Sequence, residues 1–331
     1  MKPILSVKNL NVRFDTSRGS LHAVRDLSFE LHEGEVLGIV GESGSGKSVS
    51  NLALMGLLPS NSNVSADEML FHDVDLQHLS EKQARNLRGG DISMIFQDPM
   101  TSLNPCYRVG TQIEESIKTH QQELDRKQRK LLTLSLLDSV GIADSDRAYK
   151  AYPHEMSGGM CQRAMIAMAM ACNPKLMIAD EPTTALDVTI QAQILGLLES
   201  LREKRKMSMI LVTHDIGVVV EYADRVLVMY AGEVVESGPV REVIDTPKHP
   251  YTRALLRSLP AYHEEVEHRT NLPSLEGMVP DLVHRPMGCQ LHTRCLYTQD
   301  KCRVETPTLC EEGQRKYRCF FPIHEESSNA S

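Results

Sequence analysis

The sequence predicts an α/β protein built on a mostly parallel sheet, followed by a smaller C-terminal segment of different character. Short apolar runs alternate with helical stretches through roughly the first 240 residues, which is typical of a parallel sheet covered by helices. After Gly238 this alternation weakens, prolines and histidines become frequent, and cysteines accumulate. We therefore predict two domains, residues 1–240 and 241–331.

The first domain begins with strands and continues into a helical block. The runs ILSVKNLNVRF and LHAVRDLSFEL are predicted strands, and the apolar run GEVLGIV leads through GESGSGKS into the helical stretch SVSNLALMGLL. DISMIFQ (91–97) is the next predicted strand, whereas Thr111 to Val140 carries a charged helical pattern. Residues at about 100–165 are therefore predicted to form a helical subdomain inserted on one side of the sheet.

The alternation of strands and helices resumes after this block. SGGMCQRAMIAMAMAC (157–172) is a predicted helix, and KLMIADEP contains a predicted buried strand. The helical stretch TIQAQILGLLESLREKRK leads to a strand in MSMILVTHD, and VLVMYAGEVVESG (226–238) has the pattern of a β-hairpin. These elements complete the predicted sheet.

Composition and charge exclude several classes of function. The 331 residues carry a formal net charge of −8, and 41% of them are hydrophobic, enough for one large and one smaller core. An acidic chain argues against a protein built mainly to bind DNA or RNA, because a basic face supplies most of that affinity. The N-terminus lacks an apolar core of signal-peptide length, and no run approaches the roughly 20 apolar residues of a membrane span. We expect a cytosolic chain, or one held at a membrane by another protein.

The glycine-rich stretch after GEVLGIV fits the phosphate-binding pattern G-x-x-x-x-G-K-[ST]. Its glycines let consecutive backbone N–H groups face phosphate oxygens, and the helix that follows adds its positive N-terminal end. Lys47 is expected to reach the β- and γ-phosphates, and the Ser48 hydroxyl to bind Mg²⁺. The predicted nucleotide-binding residues of this loop are Gly41, Ser43, Gly44, Ser45, Gly46, Lys47 and Ser48.

Polar side chains also follow other predicted strands at their carboxyl ends. These side chains belong to Gln97, Asp180, Glu181 and His214. Because ligands in open α/β sheets collect at this edge, we predict that the four residues converge beside the P-loop. Asp180 is predicted to hold Mg²⁺, and Glu181 to polarise the attacking water.

The stretch HEMSGGMCQR (154–163) contains a second helix N-terminus suited to an anion. Ser157, Gly158 and Gly159 open the predicted helix, followed by Met160. One interpretation is a serine N-cap, which contributes about 1 kcal/mol to helix stability. The other is that this helix binds the γ-phosphate of a nucleotide held by a different subunit, since the P-loop already serves the chain's own nucleotide. The second interpretation predicts a head-to-tail dimer with two ATP molecules in the interface.

Five of the eight cysteines lie in the last 43 residues. Four of them, Cys289, Cys295, Cys302 and Cys319, follow the spacing C-x5-C-x6-C-x16-C. In a reducing compartment such clustering favours metal ligands over disulfides. The gaps are wider than those of paired zinc sites, and four thiolates suit a [4Fe–4S] cluster, but the spacing leaves zinc, iron–sulfur and free thiols open. Cys310 competes for the fourth ligand position.

Taken together, GESGSGKS, Gln97, MSGGM, LMIADEP, ALD (185–187) and His214 resemble, in order and spacing, the nucleotide-binding subunit of ABC transporters. The resemblance covers residues 3–240. It implies a P-loop ATPase with a RecA-like core, an antiparallel β part and an inserted helical subdomain. The usual signature LSGGQ reads MSGGM here, so Met160 replaces a glutamine. Ser157 and the two glycines expected to contact phosphate remain, so we expect activity to survive.

The resemblance implies a role for each matching residue. Phe14 is implied to stack on adenine, although Phe29 and His22 also precede the P-loop. Gln97 is implied to sense Mg²⁺ and the transmembrane partner, and His214 to be the switch histidine at the γ-phosphate. Asp180 is then the Walker B aspartate, and Glu181 is the catalytic base. Asp187 is the D-loop aspartate, and Ser157 to Met160 form the signature that contacts the other subunit's nucleotide.

Further stretches resemble the peptide/nickel importer branch of this family, and most closely the D-type ATPases of bacterial dipeptide permeases. These stretches are QDPMTSLNPCYRVG (97–110), HPYTRALLRSLP (249–260) and LPSLEGMVP. The similarity extends to the C-terminal cysteines. It implies an ATP-hydrolysing motor for di- or oligopeptide import that uses ATP and Mg²⁺. It also implies that the four spaced cysteines bind a [4Fe–4S] cluster in a small C-terminal extension.

The same resemblance implies partners and a location. The implied partners are two transmembrane permease subunits, a second homologous ATPase that completes a heterodimer, and a periplasmic or extracellular peptide-binding protein that acts through the permeases. Nucleic acid is not among them. The implied location is peripheral, at the cytoplasmic face of the bacterial inner membrane.

Two other classes of function fit the sequence less well. A soluble ABC ATPase acting on nucleic acid is disfavoured, because only about 110 residues separate Ser48 from Ser157, too few for a long coiled coil, and because translation types usually carry two ATPase domains. An iron–sulfur regulator with a vestigial ATPase is disfavoured by the intact Lys47, Glu181 and His214. An importer of nickel, a haem precursor or an antimicrobial peptide remains an alternative.

Overall fold

The computed structural model describes residues 2–184, 186–259 and 275–323. Ala185 of the ALD stretch, the last residue of HPYTRALLRSLP, the first residues of LPSLEGMVP and the C-terminal tail lie outside this range. Within the described residues, no helix combines the length and the apolar character needed to cross a membrane.

The strands are short, except for the first two, and most of them coincide with the apolar runs noted above. They are β1 (Leu5–Thr16), β2 (Gly19–Leu31), β3 (Val36–Val40), β4 (Ser62–Ser65), β5 (Glu68–Phe71), β6 (Val74–Asp75), β7 (Ile92–Ile95), β8 (Leu176–Asp180), β9 (Ser208–Thr213), β10 (Arg225–Tyr230), β11 (Glu233–Pro239), β12 (Cys310–Glu312) and β13 (Arg315–Tyr317).

The helices vary from one turn to five turns in length. They are α1 (Lys47–Leu54), α2 (Glu81–Leu87), α3 (Pro99–Ser102), α4 (Val109–His120), α5 (Arg126–Ser139), α6 (Ser145–Lys150), α7 (Gly158–Ala169), α8 (Val188–Arg205), α9 (Ile216–Tyr222), α10 (Val240–Asp245), α11 (Pro250–Arg257) and α12 (Asp300–Val304), with a 3₁₀ turn at Pro153–Glu155.

These elements form two compact units, each made of segments that are not contiguous in sequence. The helical unit contains His32–Glu35 and His78–Val212. The P-loop unit contains Lys2–Leu31, Val36–Gln77 and Thr213–Ser331. The predicted boundary near residue 240 stays a prediction.

The P-loop unit combines antiparallel and parallel strand pairing. β1 pairs antiparallel with β2, β4 and β5, and β6 continues from β5. β3 pairs parallel with β10, and the predicted hairpin is present as the antiparallel pair β10 and β11. β13 pairs with β11, and β12 with β13, so part of the C-terminal extension joins the same sheet. Its apolar core includes the fully buried Tyr230 and Tyr251.

The helical unit contains the parallel strands β7, β8 and β9, with β8 between the other two. Every residue of β8 and β9 is buried, as expected for apolar runs in a parallel sheet. The helical stretch predicted over residues 111–140 is divided between α4 and α5. Asp125 and Gln128 form a capping box that starts α5, so the first helix ends before it. The predicted α/β fold, with its antiparallel part and helical block, is confirmed.

Candidate nucleotide-binding and hydrolysis site

The backbone of the P-loop requires its glycines. Gly44 and Gly46 have positive φ angles of 79° and 98°, which disfavour any side chain. A β-carbon on Gly41 would lie 2.2 Å from the carbonyl oxygen of Met229, at the end of β10. α1 then begins at Lys47, with Gly46 at the N-cap position. The loop therefore has the strand–loop–helix form that presents backbone N–H groups to phosphate.

Polar side chains inside this loop are buried. Lys47 is 4% exposed, and its Nζ donates to the carbonyl oxygens of Gly41 at 2.7 Å and Glu42 at 3.2 Å. Ser45 is fully buried, and its Oγ has no hydrogen-bond partner among the described residues. Native proteins rarely leave such a group unsatisfied. A buried cation and an unsatisfied hydroxyl suit a loop that accepts a polyanionic ligand.

Glu181 and Gln97 are in direct contact in the helical unit. Gln97 Nε2 donates to Glu181 Oε2 at 3.0 Å, and Thr184 Oγ1 donates to the same oxygen at 2.9 Å. Gln97 follows β7 and Glu181 follows β8, and these two strands are parallel neighbours. The prediction that the ends of these strands bring Gln97 and Glu181 together therefore corresponds to a real contact. Thr184 was not predicted, although it lies only three residues after Glu181.

The backbone at Glu181 is strained. Its φ angle is 46°, in the left-handed region that a non-glycine residue adopts at a cost of about 1 kcal/mol or more. The Glu181 N–H donates to the Val212 carbonyl oxygen at 2.9 Å, which holds the turn in place. Asp180, the last residue of β8, is 4% exposed. The two adjacent carboxylates therefore differ in environment, one buried and the other directed toward Gln97.

A buried hydrogen bond connects α7 to the segment after Glu181. Gln162 is 1% exposed, and its Nε2 donates to the Pro182 carbonyl oxygen at 2.7 Å. The helix that begins with the signature residues is therefore tied to the turn that carries the carboxylate. Sequence reasoning missed Gln162, because a lone glutamine inside an apolar helix gives no signal of its partner.

The signature residues combine an N-cap with an open surface. Ser157 caps α7, and its Oγ accepts from the Met160 N–H at 3.3 Å, as the simpler interpretation predicted. A β-carbon at Gly158 would meet nothing within 4 Å among the described residues, so none of them requires glycine there. A β-carbon at Gly159 would meet only Ile190 Cγ2, at 3.4 Å. The helix start therefore leaves space for close approach by a ligand, and the trans-nucleotide role stays a prediction.

Asp187 lies at the start of a helix, and His214 lies in the short turn between β9 and α9. Asp187 is the N-cap of α8, and its Oδ1 accepts from the Ile190 N–H at 3.0 Å. His214 is exposed and directly follows β9. Their D-loop and switch roles stay predictions.

The structure separates the three candidates for adenine stacking by burial. Phe14 lies on β1 and is half-buried, whereas Phe29 is 6% exposed and belongs to the core. Burial, aided by the nearby Arg13, lowers the pKa of His22 to about 4, so this ring is neutral at pH 7. Phe14 is the less buried of the two phenylalanines, and its role stays a prediction.

Comparison with known proteins decides the family. A family model described as ABC transporter matches residues 24–184, and a model described as Oligopeptide/dipeptide transporter, C-terminal region, matches residues 235–302. The dipeptide transport ATP-binding protein DppD of Haemophilus influenzae is 53% identical over 98% of this chain and 97% of that protein. This chain belongs to the ABC transporter ATP-binding proteins. The resemblance seen in the sequence is confirmed, including its oligopeptide/dipeptide branch.

Other relatives match over similar lengths. The dipeptide transport ATP-binding protein DppD of Escherichia coli strain K12 is 52% identical over 97% of each chain. A putative peptide import ATP-binding protein of Brucella ovis is 47% identical over 95% of each chain. The similarity therefore includes the C-terminal extension as well as the ATP-binding part.

Solved ABC structures share this fold. The cbiO1 protein of Clostridium perfringens, described as part of the ABC transporter complex cbiONQ, is 30% identical with a TM-score of 0.62, covering 74% of this chain and 92% of that one. The ATP-binding cassette MJ0796, in a dimeric state bound to ADP and Pi, is 28% identical with a TM-score of 0.62, covering 72% of this chain and 99% of that one.

The spaced cysteines of this ABC protein surround a very small cavity. Cys289, Cys295, Cys302 and Cys319 line a space of about 20 Å³ together with Phe320. Such a space holds about one water molecule. Burial raises the pKa of the Cys289 thiol to about 11 and that of Cys319 to about 12. These two thiols are therefore protonated at neutral pH.

The predicted [4Fe–4S] cluster at Cys289, Cys295, Cys302 and Cys319 is wrong. Across residues 2–184, 186–259 and 275–323, no group of three or more His, Cys, Asp or Glu side chains could hold a metal ion. Burial raises the pKa of the Cys289 thiol to about 11, so the fold itself favours the protonated thiol over the thiolate that iron or zinc would bind. Among the described residues, no such group supports the zinc alternative either. All four, and the exposed Cys310, are free thiols.

Proposed function

We propose that this chain is the ATP-hydrolysing motor of a bacterial importer for di- or oligopeptides. The observation that carries the ATPase part is the P-loop, with its glycines at positive φ angles, buried Lys47 and unsatisfied Ser45 hydroxyl. The peptide part rests on relatives named for dipeptide transport that match nearly the whole chain. Another import substrate is the alternative, and no observation favours it.

The proposed chemistry is in-line attack of water on the γ-phosphate of ATP. The loop N–H groups and Lys47 bind the phosphates, and Glu181 orients the attacking water while Gln97 and Thr184 fix its carboxylate. His214 is proposed to contact the γ-phosphate. Phe14 is proposed to stack on the adenine ring.

Mg²⁺ is proposed to be held by the Ser48 hydroxyl and the Asp180 carboxylate. A hydroxyl and a carboxylate are the oxygen donors that Mg²⁺ prefers, so the residues fit the ion. Bound there, the ion would neutralise charge on the phosphate oxygens. Asp180 is buried at the end of β8, so its carboxylate has a restricted position that suits a metal ligand.

The proposed working state is a dimer with a second, homologous ATPase. The open start of α7 at Ser157, Gly158 and Gly159, with Met160 beside it, supports contact with a nucleotide of the partner subunit. Asp187 is proposed to lie at the same interface. The related cassette MJ0796 is described as a dimer bound to ADP and Pi, which supports the arrangement.

The dimer is proposed to drive two transmembrane permease subunits, supplied with peptide by a binding protein. This places the chain peripherally at the cytoplasmic face of the inner membrane. The exposed Met100 and Tyr107, which follow Gln97 in the helical unit, are candidates for the permease contact.

Complementation tests the whole proposal. An Escherichia coli auxotroph that lacks its own DppD should regain growth on a dipeptide when it expresses this chain, because the two proteins are 52% identical. Lys47→Ala and Glu181→Gln should abolish this growth at equal expression. The purified chain with Glu181→Gln should still bind ATP, but its rate of hydrolysis should fall by about 100-fold or more, since a positioned base contributes at least this much.

Two results would contradict the proposal in different ways. ATP hydrolysis without restored dipeptide growth, when the chain assembles with the permeases, would leave an ATPase for another substrate. Restored growth by Lys47→Ala would remove the ATPase mechanism itself. Glu203→Gln, at an exposed position late in α8, is the matched control and should behave as wild type.

A further inference from the structure

An ion pair joins the P-loop to the C-terminal extension, here residues 275–323. The Arg294 guanidinium donates from Nη1 and Nη2 to the two carboxylate oxygens of Glu42, at 2.8 and 3.1 Å. The Arg294 side chain is 5% exposed and that of Glu42 is 31% exposed. Both residues belong to the P-loop unit, although 252 positions separate them in sequence. Bidentate pairs of this kind fix geometry as well as charge.

The guanidinium is itself held in one orientation. Arg294 Nη2 donates to the Leu275 carbonyl oxygen and Nε to the Glu276 carbonyl oxygen, each at 3.0 Å. Its central carbon lies 5.7 Å from the centre of the Tyr230 ring, a cation–π contact. All three guanidinium nitrogens of Arg294 thus donate hydrogen bonds within the chain, so its position is set before any ligand binds.

The backbone of Glu42 is held by a second residue of the same unit. The Glu42 N–H donates to the hydroxyl oxygen of Tyr251 at 2.8 Å. Tyr251 is fully buried and packs on Tyr230 with ring centres 4.7 Å apart. Side chain and backbone of this P-loop residue are therefore both fixed by groups outside the loop.

Glu42 presents an electrostatic problem for a phosphate site. Its carboxylate lies in the loop that must accept the polyanionic phosphates, and its carbonyl oxygen already contacts Lys47 Nζ at 3.2 Å. An unpaired carboxylate at this position would repel phosphate, because like charges a few ångströms apart disfavour each other. The bidentate contact with Arg294 offsets that charge.

We propose that Arg294 is a positioning residue for the P-loop. By pairing with Glu42 it keeps the loop in its phosphate-binding conformation and cancels the acidic charge beside the phosphates. This inference rests on the proposed function and gives the C-terminal extension a part in nucleotide binding that its distance in sequence conceals.

Equilibrium binding of ATP to the full chain tests this role. Arg294→Met should weaken ATP binding about tenfold, the effect of removing one charged hydrogen-bond pair. Arg294→Lys keeps the charge without the bidentate geometry and should fall between Arg294→Met and wild type. In the Arg294→Met background, Glu42→Gln should restore most of the lost affinity, because no acidic charge remains to be neutralised.

Turnover distinguishes positioning from general loss of structure. In the assembled importer, Arg294→Met should raise the KM for ATP about tenfold and change kcat by no more than about twofold, because Arg294 does not touch the reacting atoms. Arg303→Met, an exposed arginine on α12 of the same extension, is the matched control and should leave both constants unchanged.

Three results would overturn the inference. Unchanged ATP affinity in Arg294→Met would do so while leaving the proposed function intact. Failure of Glu42→Gln to restore affinity in an Arg294→Met chain that retains its thermal unfolding midpoint would also do so, because the charge argument requires that rescue. A wild-type chain that binds no ATP would overturn the proposed function, and this inference with it.

Discussion

His249 is a buried histidine whose surroundings oppose its protonation. It is 1% exposed at the start of α11, where its Nδ1 accepts from the Tyr251 N–H at 3.2 Å. The backbone N–H of His249 donates to Glu236 Oε2 at 2.9 Å. Burial lowers the pKa of the imidazole from 6.5 to about 3, with a backbone contact to Arg318 acting in the opposite sense. The folded protein therefore keeps a neutral ring at a pH where the unfolded chain is protonated.

This histidine predicts acid sensitivity. The unfolded chain binds a proton between pH 6.5 and about 3 that the folded chain does not bind, so the free energy of unfolding should fall as pH falls through that window. The loss is at most about 1.4 kcal/mol per pH unit for one group. His249→Asn retains an N-cap acceptor and removes the titration, so its stability should fall less steeply in urea unfolding at successive pH values. Equal slopes for variant and wild type would contradict this account.

A buried hydrogen bond from Gln162 links α7 to the turn after β8. We expect Gln162→Met to lower the free energy of unfolding by about 1–3 kcal/mol, because the buried Pro182 carbonyl oxygen loses its partner. ATP hydrolysis should fall as well, since Pro182 directly follows Glu181. Gln122→Met, at an exposed position between α4 and α5, should change neither quantity. Guanidinium unfolding with parallel ATPase assays measures both, and wild-type stability in Gln162→Met would disprove the link.

Elements with a strong local pattern were predictable. The apolar runs gave β8 and β9 because strands buried on both faces admit little else. The capping box at Asp125 is also a local signal, and it explains why a helical pattern across 111–140 ends and restarts. β4 and β12 were not predicted, because exposed strands of a few residues carry no apolar alternation. Their pairing depends on neighbours that are distant in sequence.

Some contacts of the candidate site were likewise predictable from local sequence patterns, and others were not. The P-loop follows from its glycine pattern, and the Gln97–Glu181 contact follows from the ends of neighbouring strands. No local pattern connects Arg294 to Glu42, because an arginine can pair with any carboxylate that folding brings near. The cluster prediction failed for a related reason: cysteine spacing records order along the chain, whereas metal binding depends on how the fold places the side chains.

At the scale of the whole molecule, a buried ion pair joins the C-terminal extension to β11 of the P-loop unit. Arg315 Nη2 donates to Glu236 Oε1 at 2.7 Å, and Glu236 is fully buried on β11. We expect Arg315→Met to lower the free energy of unfolding by about 3–5 kcal/mol, because it leaves a buried carboxylate uncompensated. Chemical denaturation of the full chain measures this loss.

A neighbour on the same strand provides the control. Lys316 on β13 pairs with Glu311, and both side chains are largely exposed, at 45% and 65%. Lys316→Met should therefore cost less than about 1 kcal/mol. If Arg315→Met and Lys316→Met lower the free energy of unfolding equally, the buried pair does not stabilise the contact between the extension and β11.

The separation of 252 positions between Glu42 and Arg294 also has a consequence in time. A ribosome adds about 5–20 residues per second, so the arginine is synthesised about 10–50 s after the glutamate that it pairs with. During that interval the nascent P-loop exists without the guanidinium that neutralises it. A premature stop codon between positions 49 and 294 yields a chain with the whole glycine-rich motif but without this pair. The nucleotide loop of this ABC protein is therefore encoded early and completed late, when translation is nearly finished.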